Sequence, residues 1–211
     1  MKCLTVFISY RDKEDGLGVE EAEDLREEFV RFGVVARMAR HDISPMADLS
    51  NTVMDLIRSS SALVCLATEG FSSSPWCQQE VGFALGCNIP VFWAKLCTTE
   101  TPAGLLTGQL GHAPSKGKTT SQAVMDWLAH QAVVRDELVA SLGQGLSVSR
   151  SYDDSRKLAR LLQSISTLTQ DEWDLIRFRA SQNNQVSDAV MGEDPLLEYL
   201  EDSLRIVQEL P

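Results

Sequence analysis

The sequence predicts an α/β protein: a mainly parallel sheet covered by helices, followed by a C-terminal α-helical extension. Three observations lead there. Between residues 4 and 93, short apolar runs alternate with segments whose apolar residues recur at helical spacing, the order that right-handed crossovers turn into a parallel sheet. Beyond residue 120 only the helical period persists. Gly, Pro and Ser stand where caps and turns are needed between these segments.

Leu4 to Ile8 is the first strand. Ala22, Leu25, Phe29 and Phe32 then share one helix face and stop at Gly33, which takes the left-handed conformation that ends a helix without penalty. Val34 to Met38 is the second strand. After a loop broken by Pro45, Leu49, Val53, Leu56 and Ile57 fall at i, i+4, i+7 and i+8, again one face, ahead of a third strand at Ala62 to Leu66. Ser74 as N-cap and Pro75 at the first helical position, where a missing N–H costs nothing, open a helix that runs to about Gly86. Ile89 to Trp93 is the fourth strand, with its proline near the start.

The chain from Thr98 to Thr120 is rich in Gly, Pro, Thr and Ser and reads as a loop anchored by Leu105, Leu106 and Leu110. One helix follows, carried by Val124, Trp127, Leu128, Val134, Leu138 and Leu142. Gly143 to Ser149 has the composition of a linker. Three amphipathic helices remain. Leu158, Leu161, Leu162 and Ile165 mark the first; the capping box Thr169-Gln170-Asp171-Glu172 opens the second, with Trp173 and Ile176; Asp194-Pro195 opens the third, with Leu196, Leu200, Leu204 and Val207. The expected organisation is a main domain over 1–142, a linker over 143–150 and a helical extension over 151–211. A unit of about 60 residues seldom holds a core alone, so the extension is expected to dock on the main domain or on a second copy.

Composition narrows the function classes. The 211 residues are 44% hydrophobic and carry a net charge of −11. Acidic residues outnumber basic ones both before and after residue 150, so neither part offers a patch for nucleic acid or for an anionic membrane. The longest apolar run, Ala62 to Ala67, is far short of the ~20 residues of a membrane span, and Met1-Lys2-Cys3 leads straight into a strand pattern, so no signal peptide and a cytoplasmic location are expected. The five cysteines form no C-x-x-C pair, and His41, His112 and His130 are scattered, so no metal site is expected. Gly111 to Thr119 imitates a phosphate-binding loop but has five residues between its glycines where that motif has four, and it does not follow the first strand.

Ligands of open parallel sheets bind beyond the carboxyl ends of the strands, where strand order reverses. With an order of 2-1-3-4 that point receives Ser9-Tyr10-Arg11-Asp12 and the segment Thr68 to Glu80. Trp76 and Glu80 stand at i and i+4 on one face of a helix. From spacing alone a core tryptophan beside a surface glutamate is the plainer reading, and the position at the switch point favours a site. A receiver domain of the same fold is excluded, because its third strand ends in an aspartate where this chain has Ala67-Thr68.

Val6-Phe7-Ile8-Ser9-Tyr10-Arg11 resembles the first sequence box of Toll/interleukin-1 receptor (TIR) domains, and Ser73-Ser74-Pro75-Trp76-Cys77-Gln78-Gln79-Glu80 resembles their S-x-x-W-x-x-x-E motif. Ile43-Ser44-Pro45 and Ile89-Pro90-Val91 match the segments that belong between and after them. The resemblance covers roughly residues 1 to 140. It implies a flavodoxin-like parallel sheet and, in members that retain the glutamate, cleavage of NAD+ with release of nicotinamide. Glu80 is then the catalytic residue, Trp76 and Tyr10 pack on or beside the substrate, Arg11 meets a phosphate or the adenosine part, and Ser9 lines the floor. No resident cofactor is implied, since NAD+ is the substrate. Two departures stand out: the loop after the second strand has Met46 and Leu49 where the family has a glycine and often a tryptophan, which bears on TIR self-association, and Asp12 replaces the second basic residue of some relatives.

Two functions fit. One is an NAD+ glycohydrolase or ADP-ribosyl cyclase; the chain resembles the small TIR subunit of the Thoeris antiphage system, whose cyclic product is read by a downstream effector. The other is a non-catalytic TIR adaptor that works through protein contacts. A nucleoside deoxyribosyltransferase shares the fold and a glutamate, but the Ser-Pro-Trp-Cys segment does not argue for it.

Overall fold

The computed structural model describes residues 2–12, 16–39, 49–102, 118–165 and 167–208. The expected loop around Ile43 to Met46, the anchors Leu105, Leu106 and Leu110, and both His41 and His112 lie outside the described residues.

By its contacts the chain divides into two compact units, one made of 5–29 and 35–127, the other of 2–4, 30–34 and 128–208. The first unit is built on a parallel sheet of four strands, β1 (Thr5–Tyr10), β2 (Val35–Arg37), β3 (Ala62–Ala67) and β4 (Val91–Lys95), in the order β2-β1-β3-β4. This is the flavodoxin-like arrangement the sequence predicts, with helices α1 (Leu17–Arg31), α2 (Leu49–Arg58), α3 (Pro75–Gly86) and α4 (Thr120–Leu128) flanking the sheet. The central strands are buried on both faces, as continuous apolar runs in parallel sheets require.

Strand alternation decides what faces what. Phe7, Leu63, Cys65, Ala67 and Trp93 pack with Val53, Leu56 and Ile57 of α2 and Cys77, Val81 and Ala84 of α3 in one apolar cluster, in which Phe71 meets Trp93 edge to face at 5.2 Å. Ser9 follows Phe7 by two and pairs in register with Cys65, so it shares that face at the carboxyl end of β1. On the opposite parity, Phe92 packs against Trp127 of α4, the rings tilted with centroids 5.3 Å apart. The fourth strand begins one residue after Pro90, whose carbonyl accepts from Leu63. A proline carries an acceptor into the ladder but no donor, so β4 opens at Val91 and not at Ile89.

The second unit corrects two expectations. The single helix read through Val124 to Leu142 is broken into α4, a 3-10 turn at Ala132–Val134 and α5 (Arg135–Ser147). No Gly or Pro marks the break; only the acidic pair Asp136-Glu137 in the first turn of α5 signals the new start. The linker expected over 143–150 is helical through Ser147, with Gly143 and Gly145 buried. Their role is close packing: a Cβ on Gly143 would stand 2.9 Å from Ile176, and one on Gly145 would stand 3.0 Å from the backbone of Phe32 and 2.8 Å from Leu158. Within the same unit Ser141 accepts from the Leu4 N–H at 2.8 Å, and Gly33, at φ 72°, brings its Cα so close to the Ser141 carbonyl that a Cβ would fall 2.1 Å from it. Gly33 thus ends α1 as expected and is also the only residue type that fits there.

Against α5 pack α6 (Tyr152–Ser164), opened by Ser151, and α7 (Gln170–Ala180), opened by the predicted capping box with Thr169 and Glu172 bonded reciprocally. The short α8 (Asn184–Ser187) and α9 (Leu196–Ser203) complete the unit, with two-residue ladders pairing β5 (Leu168–Thr169) to β8 (Ile206–Val207) and β6 (Val190–Met191) to β7 (Asp194–Pro195). Asn183 donates to the carbonyls of Leu146 and Ser149 at 2.9 and 3.0 Å while accepting from Gln185. One side chain therefore closes the end of α5 and opens α8.

Arg135 ties α5 to α7 through a two-pronged pair with Glu172, both contacts at 2.7 Å, and a bond to the Thr167 carbonyl at 2.6 Å. The Arg135 bond holds the Glu172 carboxyl below its usual range, so its stabilisation is present above the ordinary carboxylate pKa and fades as pH falls through the depressed one. Glu172→Ala takes both prongs of the pair from a half-buried guanidinium, leaving it the exposed Asp136 carboxylate and the Thr167 carbonyl, and removes half of the capping box. The expected loss is about 2–4 kcal/mol at pH 7, shrinking at acid pH, read by urea unfolding at both pH values.

Candidate functional site

The site grows from the end of β1 and the start of α3. Ser74 caps α3 by accepting from Cys77 N, and Pro75 stands at the first helical position, which aims the next turn across the carboxyl ends of the strands. Five residues on from Pro75, Glu80 faces the sheet and not the solvent. Only 5% of it is exposed, and the hydroxyl of Ser9, itself 1% exposed, donates to its Oε2 at 2.6 Å. The plain reading of Glu80 as a surface residue fails on this contact.

Burial raises the Glu80 carboxyl to about 7, against the opposing pull of hydrogen bonds from Ser9 and Trp76. The cause is loss of water, which penalises the charged form. Cys77, one residue after Trp76, is also buried and donates its thiol to the Tyr10 carbonyl at 3.5 Å; burial pushes its pKa up, and the Glu80 charge adds to that. It stays a thiol at neutral pH. Among the described residues, no group of three His, Cys, Asp or Glu is placed to hold a metal ion.

Two cavities meet at Trp76 and Glu80. The first, about 420 Å³, is lined by Ile8, Tyr10, Arg11, Asp12, Ala39, Ser74, Trp76, Cys77 and Glu80. The second, about 380 Å³, runs between α2 and α3 and is largely apolar, with Val53, Met54, Ile57 and Phe83 on its walls and Ser50 and Gln79 as polar groups. Both volumes lie in the range of small-molecule sites, and a few polar groups in an apolar wall are what such sites use to fix orientation. Trp76, 36% exposed, forms the ridge between them.

The structure brings together all five residues that the sequence singles out. Tyr10, Arg11, Trp76 and Glu80 line the first cavity, and Ser9 lies beneath, bonded to Glu80. Arg11 stands at the rim, donating to the Glu69 carbonyl at 3.2 Å. Met46 lies outside the described residues, and Leu49 is the first residue of α2. Sequence reasoning missed the second cavity's wall, because Val53, Met54, Ile57 and Phe83 look like ordinary core positions until two helices leave space between them. It also missed Glu100, a buried carboxylate that accepts from the N–H groups of Gly70 and Ser72 at 2.5 and 2.8 Å and so braces the loop leading into α3.

A TIR-domain family model matches residues 6–130, more than half of the chain, and the protein belongs to the TIR family. No curated protein matches it. Among the described residues no helix is long and apolar enough to cross a membrane.

The raised carboxyl makes a stability prediction independent of any ligand. At pH 4 Glu80 is mostly protonated in the folded and unfolded chain alike; between 4.5 and about 7 the unfolded chain ionises while the native state keeps its proton, so the native state loses stability over that window and bears the full penalty above about 7. Glu80→Gln is therefore expected to melt with the wild type at pH 4 and to exceed it by roughly 1–3 kcal/mol at pH 8.5, read by thermal or denaturant unfolding.

Proposed function

We propose that this TIR protein cleaves the bond between nicotinamide and ribose in NAD+, with Glu80 as the catalytic carboxylate. The observation that carries the reading is Glu80 itself: a buried carboxylate, fixed by Ser9, shared by two cavities of small-molecule size at the strand ends. The nicotinamide of NAD+ is already cationic and leaves neutral, so no general acid is needed. What develops on the ribose is an oxocarbenium-like positive charge, and a single ionised carboxylate in a dry site stabilises it strongly. That differs from ordinary glycosidases, which use two carboxyl groups.

The roles of the neighbours follow from their placement. Ser9 and Trp76 hold the Glu80 carboxylate by hydrogen bonds and keep part of it ionised at neutral pH. The apolar cavity along α2 and α3 suits the flat uncharged ring that departs, and the more polar cavity, with Tyr10 and Arg11, suits the rest of the dinucleotide. Water or an internal nucleophile then decides between ADP-ribose and a cyclic product. With this function comes the setting the resemblance suggests: self-association through the TIR domain, a downstream effector that reads the product, and antiphage signalling in the cytoplasm. All five cysteines are free thiols, which fits a reducing compartment.

Purified protein incubated with NAD+ is expected to release nicotinamide, followed by chromatography, and Glu80→Gln is expected to lose about 10²-fold or more of the rate. Equal turnover by the variant overturns the assignment; if NAD+ is neither bound nor cleaved, the adaptor reading stands. The rate is expected to rise with pH through about 7, as Glu80 ionises. Ser9→Ala removes a bond that favours the ionised form, so its profile is expected to move to higher pH; an unmoved profile contradicts the role given to Ser9.

A further inference from the structure

Among the described residues two carboxylates are buried, Glu80 and Glu100. The chemistry above uses only the first. Glu100 follows β4 and reaches back to the loop before α3, accepting from Gly70 N and Ser72 N, while the Ser72 hydroxyl donates to the Thr101 carbonyl at 2.8 Å. The same stretch of loop receives Arg11. Its guanidinium donates to the Glu69 carbonyl and lies across Gly70, which sits at φ 78°, so closely that a Cβ there would come within 1.6 Å of Nη1. Although burial pulls Glu100 upward, the bonds from Ser72 and Gly70 and the Arg11 charge outweigh it and keep the carboxyl ionised.

Arg11 is the cation lining the cavity it shares with Tyr10, Trp76 and Glu80, and Asp12 and Glu80 are the acids there. An anionic ligand entering this cavity has Arg11 to meet it, and a guanidinium recognises phosphate by geometry as well as charge. A side chain this long does so with little loss of freedom only if its direction is fixed beforehand.

We infer that Glu100 is a positioning residue: by pinning the loop 69–72 it fixes the Arg11 guanidinium at the cavity mouth, where Arg11 takes the diphosphate of the dinucleotide. The inference rests on the reading of this cavity as an NAD+ site. Glu100 acts through Arg11 and touches no reacting atom. A merely structural brace predicts a loss that is independent of Arg11 and of the ligand's phosphates.

The test is calorimetric binding in the Glu80→Gln background, so that no turnover intervenes, with NAD+ and with nicotinamide riboside, which lacks the diphosphate. Adding Glu100→Gln is expected to weaken NAD+ about tenfold, as adding Arg11→Gln does, the worth of one charge-assisted contact. Adding both is expected to weaken it no further, because the two changes break one interaction. Binding of the riboside is expected to stay within about twofold. Should Glu100→Gln unfold the protein, Glu100→Asp serves instead: it keeps the charge but is one methylene too short to hold both the Gly70 and the Ser72 N–H, with the same tenfold loss expected. Unchanged NAD+ binding, additive losses, or an equal loss for the riboside overturns the role of Glu100. Failure of both the wild type and the Glu80→Gln parent to bind NAD+, with no turnover by the wild type, overturns the NAD+ reading itself, a different and recognisable outcome.

Discussion

The contact on which the candidate site depends is the 2.6 Å hydrogen bond from Ser9 to Glu80. A carboxylate withdrawn from water is costly unless donors meet it, and the cost shows as a pKa near 7. Ser9 provides the donor because strand alternation sends it to the same face as Phe7, toward α3, one residue before β1 ends. Trp76 adds a second bond from one helical turn away and shields the group from bulk solvent. Remove the strand register or the helix start, and the carboxylate returns to water and to ordinary chemistry.

The helix start is itself held in place. Ser74 and Pro75 open α3 from its own sequence, but the loop before it depends on Glu100, two of whose bonds cross 28 and 30 residues of chain. Glycine is needed at position 70 for two separate reasons, the positive φ and the guanidinium lying over it. The two acids therefore divide the work: Glu80 is kept partly protonated by dryness, and Glu100 is kept ionised by backbone donors and a nearby cation. The same residue type is pushed in opposite directions by its surroundings.

Much of this was legible in the sequence because the signals were local. Apolar runs gave the four strands, spacing gave α1 to α3, and Ser74-Pro75 and Thr169 to Glu172 marked two helix starts that the structure shows. The order 2-1-3-4 then placed Ser9, Tyr10, Arg11, Trp76 and Glu80 at one end of the sheet. What escaped was long-range. Gly143 and Gly145 have the composition of a linker, and only the approach of Ile176, Leu158 and Phe32 reveals them as packing positions inside α5. The division of the chain, in which 30–34 belongs with residues a hundred positions later, leaves no periodic trace. Glu100 stands in a Thr- and Pro-bearing turn with nothing beside it to announce a buried acid.

The central claim is that Glu80 is a dry, tuned carboxylate facing a cationic substrate, and its own titration tests this most directly. With ¹³C-labelled glutamate, the carboxyl resonance assigned by its loss in Glu80→Gln is expected to titrate near 7. Addition of a non-cleavable NAD+ analogue that keeps the positive ring is expected to lower that value, because a nearby cation favours the ionised form. A Glu80 resonance that titrates at 4.5 and does not respond to the analogue would contradict the account.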